Sequence, residues 1–291
     1  MIEAKIKFVQ CISAAGLHRM AYKEWGAPEN PNVLVCAHGV TRVSDDFDPL
    51  ARALCGQYRV ICPDFAGRGR SQRLRNPDLY RIAQYVSDSV SLLARVLANG
   101  ERQTVSWFGT SMGGLIGIVL ASLAESPVAR LLINDIGPTL GTVALQRIGD
   151  YIGQAARFAD FESAARFIRD GSLSFGEHTE SEWRKLAKDV LRQDQDGQWV
   201  RHYDIGLALP FQTATKESAM QDEALLWAAY DAIACPTLLV RGADSDLLSH
   251  ATALDMTRRG PKAQLIELAH CGHAPSFVHD DQISIARKFF T

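Results

Sequence analysis

No apolar run in this chain of 291 residues approaches the roughly 18 residues that a membrane-spanning helix needs, which excludes a helical span. No basic stripe or polybasic cluster interrupts a balanced charge of 31 Lys and Arg against 33 Asp and Glu. Neither a nucleic acid nor an anionic membrane surface is therefore an expected partner. Cysteine is sparse. The six residues, Cys11, Cys36, Cys55, Cys62, Cys235 and Cys271, form no Cys-x-x-Cys pair and no regular spacing. That excludes a disulfide framework and a zinc ribbon, and predicts mostly small buried hydrophobes in a reducing compartment. The opening MIEAKIKFVQ is no secretory leader, because an acid stands third and apolar residues alternate with charged ones. The expected location is the cytoplasm. Internal repeats and low-complexity linkers are also lacking.

What is present is an ordinary globular composition, 47% hydrophobic and 22% charged, long enough for one large or two small domains. Two alternating segments, KIKFVQCIS and HRMAYKEWG, predict a pair of strands. Short continuous apolar runs follow: VLVCAH (33–38), RVICPD (59–64), QTVSWFG (103–109), RLLINDIG (130–137) and CPTLLVRG (235–242). Such runs suit strands buried on both faces of a parallel sheet. Helical spacing separates them. In 78–100 it places Ile82, Val86, Val90, Leu93 and Leu97 on one face, with Gly100 as the stop. Further helices are expected from Met112 to about Glu125, near 249–259 and from about 278, with the strand AQLIELA before the last. The alternation predicts a mostly parallel, doubly wound α/β sheet. It breaks between about Gly137 and Asp231, a stretch rich in Phe and Trp with no buried-strand run. We expect a helical insertion there, residues 138–231, over a core built from 1–137 and 232–291.

The segment WFGTSMGG (Trp107–Gly114) puts Ser111 just past the tip of a buried strand. Ligands of open parallel sheets bind outside the carboxyl ends of the strands. A G-x-S-x-G segment there makes a sharp strand-to-helix turn that aims the hydroxyl outward, and the glycines let two backbones approach. The first helical amide, that of Met112, points to the same place and can hold a developing oxyanion. A serine needs a base to become a nucleophile, and in this architecture the chain order is Ser, acid, His. The loops RGADSDLLS and HCGHAPSF follow later strand tips and supply that order.

Five segments in sequence, AHGV (37–40), PDFAGRGRS (63–71), GTSMGG (109–114), RGADSDLLS (241–249) and GHAP (272–275), make the whole chain resemble the α/β-hydrolases that carry a helical cap. The branch it resembles includes esterases, haloperoxidase-like enzymes and C–C hydrolases. The resemblance implies Ser111 as nucleophile and His273 as base, with His270 a packing or surface residue. It implies Asp246 as the acid, since related sequences place it after this strand and before an apolar pair. Asp135, at the end of LLIND, is the alternative acid, and Asp244 a third. Val40 would supply the second oxyanion amide beside Met112. His38 and Arg42 are candidate substrate-binding residues. Alternatively, His38 hydrogen-bonds behind the site, and Arg42 is an exposed loop residue or one paired with Asp45 or Asp46.

GTSMGG with Asp135 about 20 residues on imitates a dinucleotide fingerprint. Ser111 would block the pyrophosphate, and this strand is not the first of its sheet. No cofactor and no metal are expected. The expected activity is hydrolysis of carboxylic esters of small to medium molecules through an acyl-enzyme. Lactone, amide or C–C bond hydrolysis, acyl transfer or perhydrolysis, and a weakly active sensor are the alternatives.

Overall fold

The computed structural model describes residues 3–97 and 104–291. Its frame is one eight-stranded sheet of β1 (Lys5–Ser13), β2 (Gly16–Trp25), β3 (Val33–Ala37), β4 (Arg59–Asp64), β5 (Val105–Thr110), β6 (Val128–Asn134), β10 (Thr237–Gly242) and β11 (Gln264–Leu268). The spatial order is β1-β2-β4-β3-β5-β6-β10-β11. The first two strands form an antiparallel hairpin, and β2 joins β4 antiparallel. From β4 onward every pairing is parallel, as the continuous apolar runs predicted.

The strand pattern shows why both faces must be covered. In β3, Val33, Val35 and Ala37 enter one core cluster, while Leu34 and Cys36 enter another on the opposite face. The first cluster is closed by α2 (Ile82–Val96), α3 (Met112–Ser122), α8 (Lys216–Asp231) and α9 (His250–Met256). The second is closed by α1 (Asp48–Leu54) and α10 (Asp280–Phe290). All six cysteines are free, and all but the half-buried Cys235 are buried.

In α2 the expected face holds except at one position: Leu93 is buried, and Ile82, Val86 and the following Leu97 pack against the first core cluster. Tyr85, Ser89, Leu92, Leu93 and Val96 point inward, whereas Val90 is exposed. The inward face also takes Asp88, which the apolar pattern alone would have put outside. Its carboxylate meets His18 Nε2 at 3.0 Å, so the buried charge has a partner. Gly100, the expected helix stop, lies outside the described residues.

Between β6 and β10 the chain forms α4 (Thr142–Gly153), α5 (Phe161–Asp170), α6 (Glu180–Val190), the short α7 (Leu209–Gln212) and α8. It is not wholly helical. The strands β7 (Arg157–Phe158), β8 (Leu191–Gln193) and β9 (Trp199–Arg201) form a small antiparallel sheet in the order β7-β9-β8. These strands are two or three residues long, too short to produce a readable alternation. Phe158, Phe161, Phe167 and Trp199 pack around a local core of Ala164, Ile168, Ala187, Val190 and Leu191.

Candidate active site

Ser111 sits between β5 and α3 with φ 51° and ψ −116°. Non-glycine residues rarely hold such a positive φ, and it persists only where the surroundings enforce it. The flanking glycines are what make the turn possible. A Cβ on Gly109 would lie 2.2 Å from the Gly113 carbonyl oxygen, and one on Gly113 would lie 2.1 Å from that of Ala37. The turn is further held by Ser111 N–H donating to Asn134 O (2.9 Å) and by Gly114 N–H donating to Ser111 O (2.8 Å).

His273 follows β11 in the loop before α10, and its Nε2 lies 2.9 Å from Ser111 Oγ. Its Nδ1 lies 2.7 Å from Oδ2 of Asp135, the residue directly after β6. The partner acid is thus Asp135, and the expectation of Asp246 is corrected. Asp135 is fully buried, with three donors on its carboxylate. Gly242 N–H reaches Oδ1 (2.8 Å), while the Ser245 hydroxyl (2.7 Å) and His273 both reach Oδ2. With this carboxylate ionised, Nδ1 carries the imidazole proton and Nε2 is left to accept from Ser111.

Asp246 points away, exposed, in an ion pair with Arg147. Asp244 is also exposed. Only Ser245 of the GADSD loop turns inward. The loop therefore supplies a hydroxyl to the acid rather than the acid itself. That supporting role was missed, and a serine between two aspartates offers no sequence signal for it. Asp135 did carry one: an acid directly after a buried apolar run, on the strand beside that of Ser111.

His270 is exposed at the surface. Ser174, from the segment between β6 and β10, was not anticipated. Its carbonyl accepts from Gly272 N–H (2.7 Å) and its hydroxyl donates to the His273 carbonyl. It clasps the histidine loop from above.

His38 is buried with both ring nitrogens engaged by backbone. Nε2 accepts from Phe65 N–H (3.0 Å), so Nδ1 holds the proton and donates to Gly39 O (2.7 Å). Burial, reinforced by the nearby Arg68 charge, pulls its pKa down to about 3. A neutral ring bonded this way fixes the loop that carries Val40 and offers substrate no free polar atom. Arg42 is buried too. It grips Asp46 through Nε (2.6 Å) and Nη2 (2.7 Å), and Nη2 also donates to Leu186 O (3.1 Å). Burial works against its charge, but the Asp46 carboxylate outweighs that and raises its pKa. Its alternative role as a loop ion-pair partner is the one observed, although the ion pair is buried.

The Met112 N–H opens α3 and has no acceptor within the helix. Val40 is placed by Arg68, whose Nε donates to its carbonyl (2.8 Å) while Nη2 touches Met112 Sδ (3.3 Å). Arg68 is fully buried beneath both residues and also donates to Ala66 O and Tyr85 Oη. Above Ser111 and His273 opens a cavity of about 720 Å³, lined by residues that include Val40, Tyr151, Phe175, Arg201 and Tyr203. Among the described residues no helix is long and apolar enough to cross a membrane.

The family model described as "Alpha/beta hydrolase family" matches residues 34–284. The 3-hydroxybutyrate-oligomer hydrolase of Cupriavidus necator is 53% identical over 290 residues, covering 99% of this chain and 98% of its own. The pimeloyl-[acyl-carrier protein] methyl ester esterase of Stenotrophomonas maltophilia is 26% identical over 261 residues, 88% of this chain and 92% of that one. Among solved structures, an alpha/beta hydrolase from Novosphingobium aromaticivorans superimposes with a TM-score of 0.84 at 32% identity, over 100% of this chain and 99% of that chain. Sheet order, turn geometry and these matches agree: the chain belongs to the alpha/beta hydrolase family.

Proposed function

We propose that this protein hydrolyses carboxylic esters through an acyl-enzyme on Ser111, and that its substrates are short oligoesters of 3-hydroxybutyrate or similar hydroxy acids. The observation that carries the chemistry is the unbroken line from Ser111 Oγ through His273 to Asp135, at 2.9 and 2.7 Å. Ser111 Oγ attacks the ester carbonyl as His273 Nε2 takes its proton. Asp135 holds the imidazole in the tautomer this needs and stabilises the imidazolium. The Met112 and Val40 amides receive the negative oxygen of the tetrahedral intermediate. His273 then protonates the departing alcohol, and in the second half-reaction it activates the water that releases the acid. In a hydroxy acid oligomer that alcohol is the hydroxyl of the next unit, so each cycle shortens the chain.

Residues 138–231 serve as the cap that roofs the cavity, resting on a hydrolase core of 1–137 and 232–291. The substrate class draws its support from the Cupriavidus necator relative, matched across nearly the full length of both chains. The cavity, at about 720 Å³, suits a molecule of small to medium size.

The test joins two measurements. A fluorophosphonate probe should add one adduct by intact mass, mapped to Ser111, lost in Ser111→Ala and strongly slowed in His273→Ala. Incubation with 3-hydroxybutyrate dimer and trimer should release monomer. An unlabelled protein that also leaves both oligomers and simple esters intact would overturn the proposal.

A further inference from the structure

Among the described residues three arginines stand on the cavity wall, and one of them has no acidic partner there. Arg42 is neutralised by Asp46, and Arg147 is paired with Asp246 at the exposed surface. Arg201, at the end of β9, is only 7% exposed, yet no carboxylate of the described residues lies within ion-pair distance of it. What holds it is different. Nη1 donates to Tyr151 O (2.7 Å) and Nη2 to Gln154 O, while the rings of Tyr151, Tyr203 and Phe167 lie at 4.8, 4.9 and 5.5 Å from its central carbon. Asp150 and Asp170 also border the cavity but are exposed and make no bond to it.

Burying a charge without a counter-charge is costly. Aromatic faces and carbonyl oxygens offset part of that cost but leave the guanidinium without a counter-charge at ion-pair distance. Of the five N–H groups of a guanidinium, two are engaged, so three remain for a ligand. The planar fork matches a carboxylate bidentately. Arg68 is the informative contrast. It too lacks an acid, but its donors are taken up by Val40, Ala66, Tyr85 and Met112, and it does not border the cavity.

Resting on the ester-hydrolase proposal above, we infer that Arg201 receives the free terminal carboxylate of the substrate, so that the enzyme selects esters bearing an acid end over neutral ones. In the substrate's absence the guanidinium is held ready by Tyr151 and Gln154 on one side and by the three rings around it. Binding supplies the missing negative charge in a site already shielded from water.

The experiment compares 3-hydroxybutyrate dimer with its terminal carboxamide, which has the same scissile ester but no charge. Active sites are counted by fluorophosphonate labelling of Ser111. The wild type should prefer the acid by at least about tenfold in kcat/KM, chiefly through KM. In Arg201→Gln that preference should collapse, and Arg201→Lys should restore only part of it. No preference in the wild type, or a preference intact in Arg201→Gln, overturns the inference. Should Arg201→Gln not fold, inhibition of the wild type decides: 3-hydroxybutyrate should compete and 3-hydroxybutyramide should not, and equal inhibition overturns it. An enzyme that cleaves both dimers equally loses only the Arg201 assignment, whereas one that cleaves neither and takes no label loses the ester-hydrolase proposal itself.

Discussion

His273 Nδ1 and Asp135 Oδ2 lie 2.7 Å apart, and the carboxylate is sealed from solvent. Asp135 thus stands at the tip of the strand next to that of Ser111, two strands from β11. Asp135→Asn would keep the shape but stop the side chain from accepting the Nδ1 proton in the same way. We expect kcat to fall by about 10³–10⁴, while Asp246→Asn stays within about threefold, as for a surface ion pair. Steady-state kinetics of the two variants on one ester checks this, and the reverse ranking would restore Asp246.

Ser245→Ala removes a hydroxyl that bonds Asp135 Oδ2 and accepts from Leu248 N–H (3.2 Å). Leu248 is fully buried, so its amide would be left without that acceptor. The loss should be about 1–3 kcal/mol in stability, measured by urea unfolding. Turnover should fall too, by far less than in Asp135→Asn, since His273 keeps its partner.

Gly113→Ala is expected to be among the most damaging single-methyl additions. The new carbon would lie 2.1 Å from Ala37 O in the neighbouring strand, and backbone there has little room to yield. Destabilisation of about 3 kcal/mol or more is expected, with Ser111 labelling lost in step. Gly56→Ala is the control, because nothing lies within 4 Å of its added carbon.

His38 supplies a pH signature. Its folded pKa, about 3, is below that of an unfolded histidine, so the unfolded chain takes up the proton first. Its contribution is complete above the unfolded value of about 6.5 and is lost as pH falls toward 3. Within that window stability should drop by about 1.4 kcal/mol per pH unit from this residue. His178 and His202 are depressed by burial as well and act in the same direction. His38→Asn should be less stable at neutral pH but flatter across the acidic range in urea melts. Parallel curves would show that another group sets the slope.

The sheet was legible because its strands are buried on both faces, which forces the continuous runs seen in VLVC and LLIN. The turn at Ser111 and the placing of His273 beside it were legible because their loops need glycine or a short motif. The acid was not. RGADSDLLS contains two aspartates at a strand tip, and only the path of the loop decides which side chain turns inward. A shift of one position separates buried Ser245 from exposed Asp246. Val90 misled for a related reason: apolar spacing could not anticipate that Asp88, with His18, would occupy the inward face.

Ser111 and Asp135 belong to one β–α–β passage, from Val105 to the residue after β6, whereas His273 stands 138 residues beyond Asp135. Chains fold in the order they are synthesised, domain by domain. A growing polypeptide can therefore neither hold the Asp135 carboxylate, whose donors come from Gly242, Ser245 and His273, nor set an imidazole beside Ser111 until its closing stretch is made. On the proposed mechanism hydrolytic power arrives only with the closing stretch of the chain, so an interrupted product of translation lacks it.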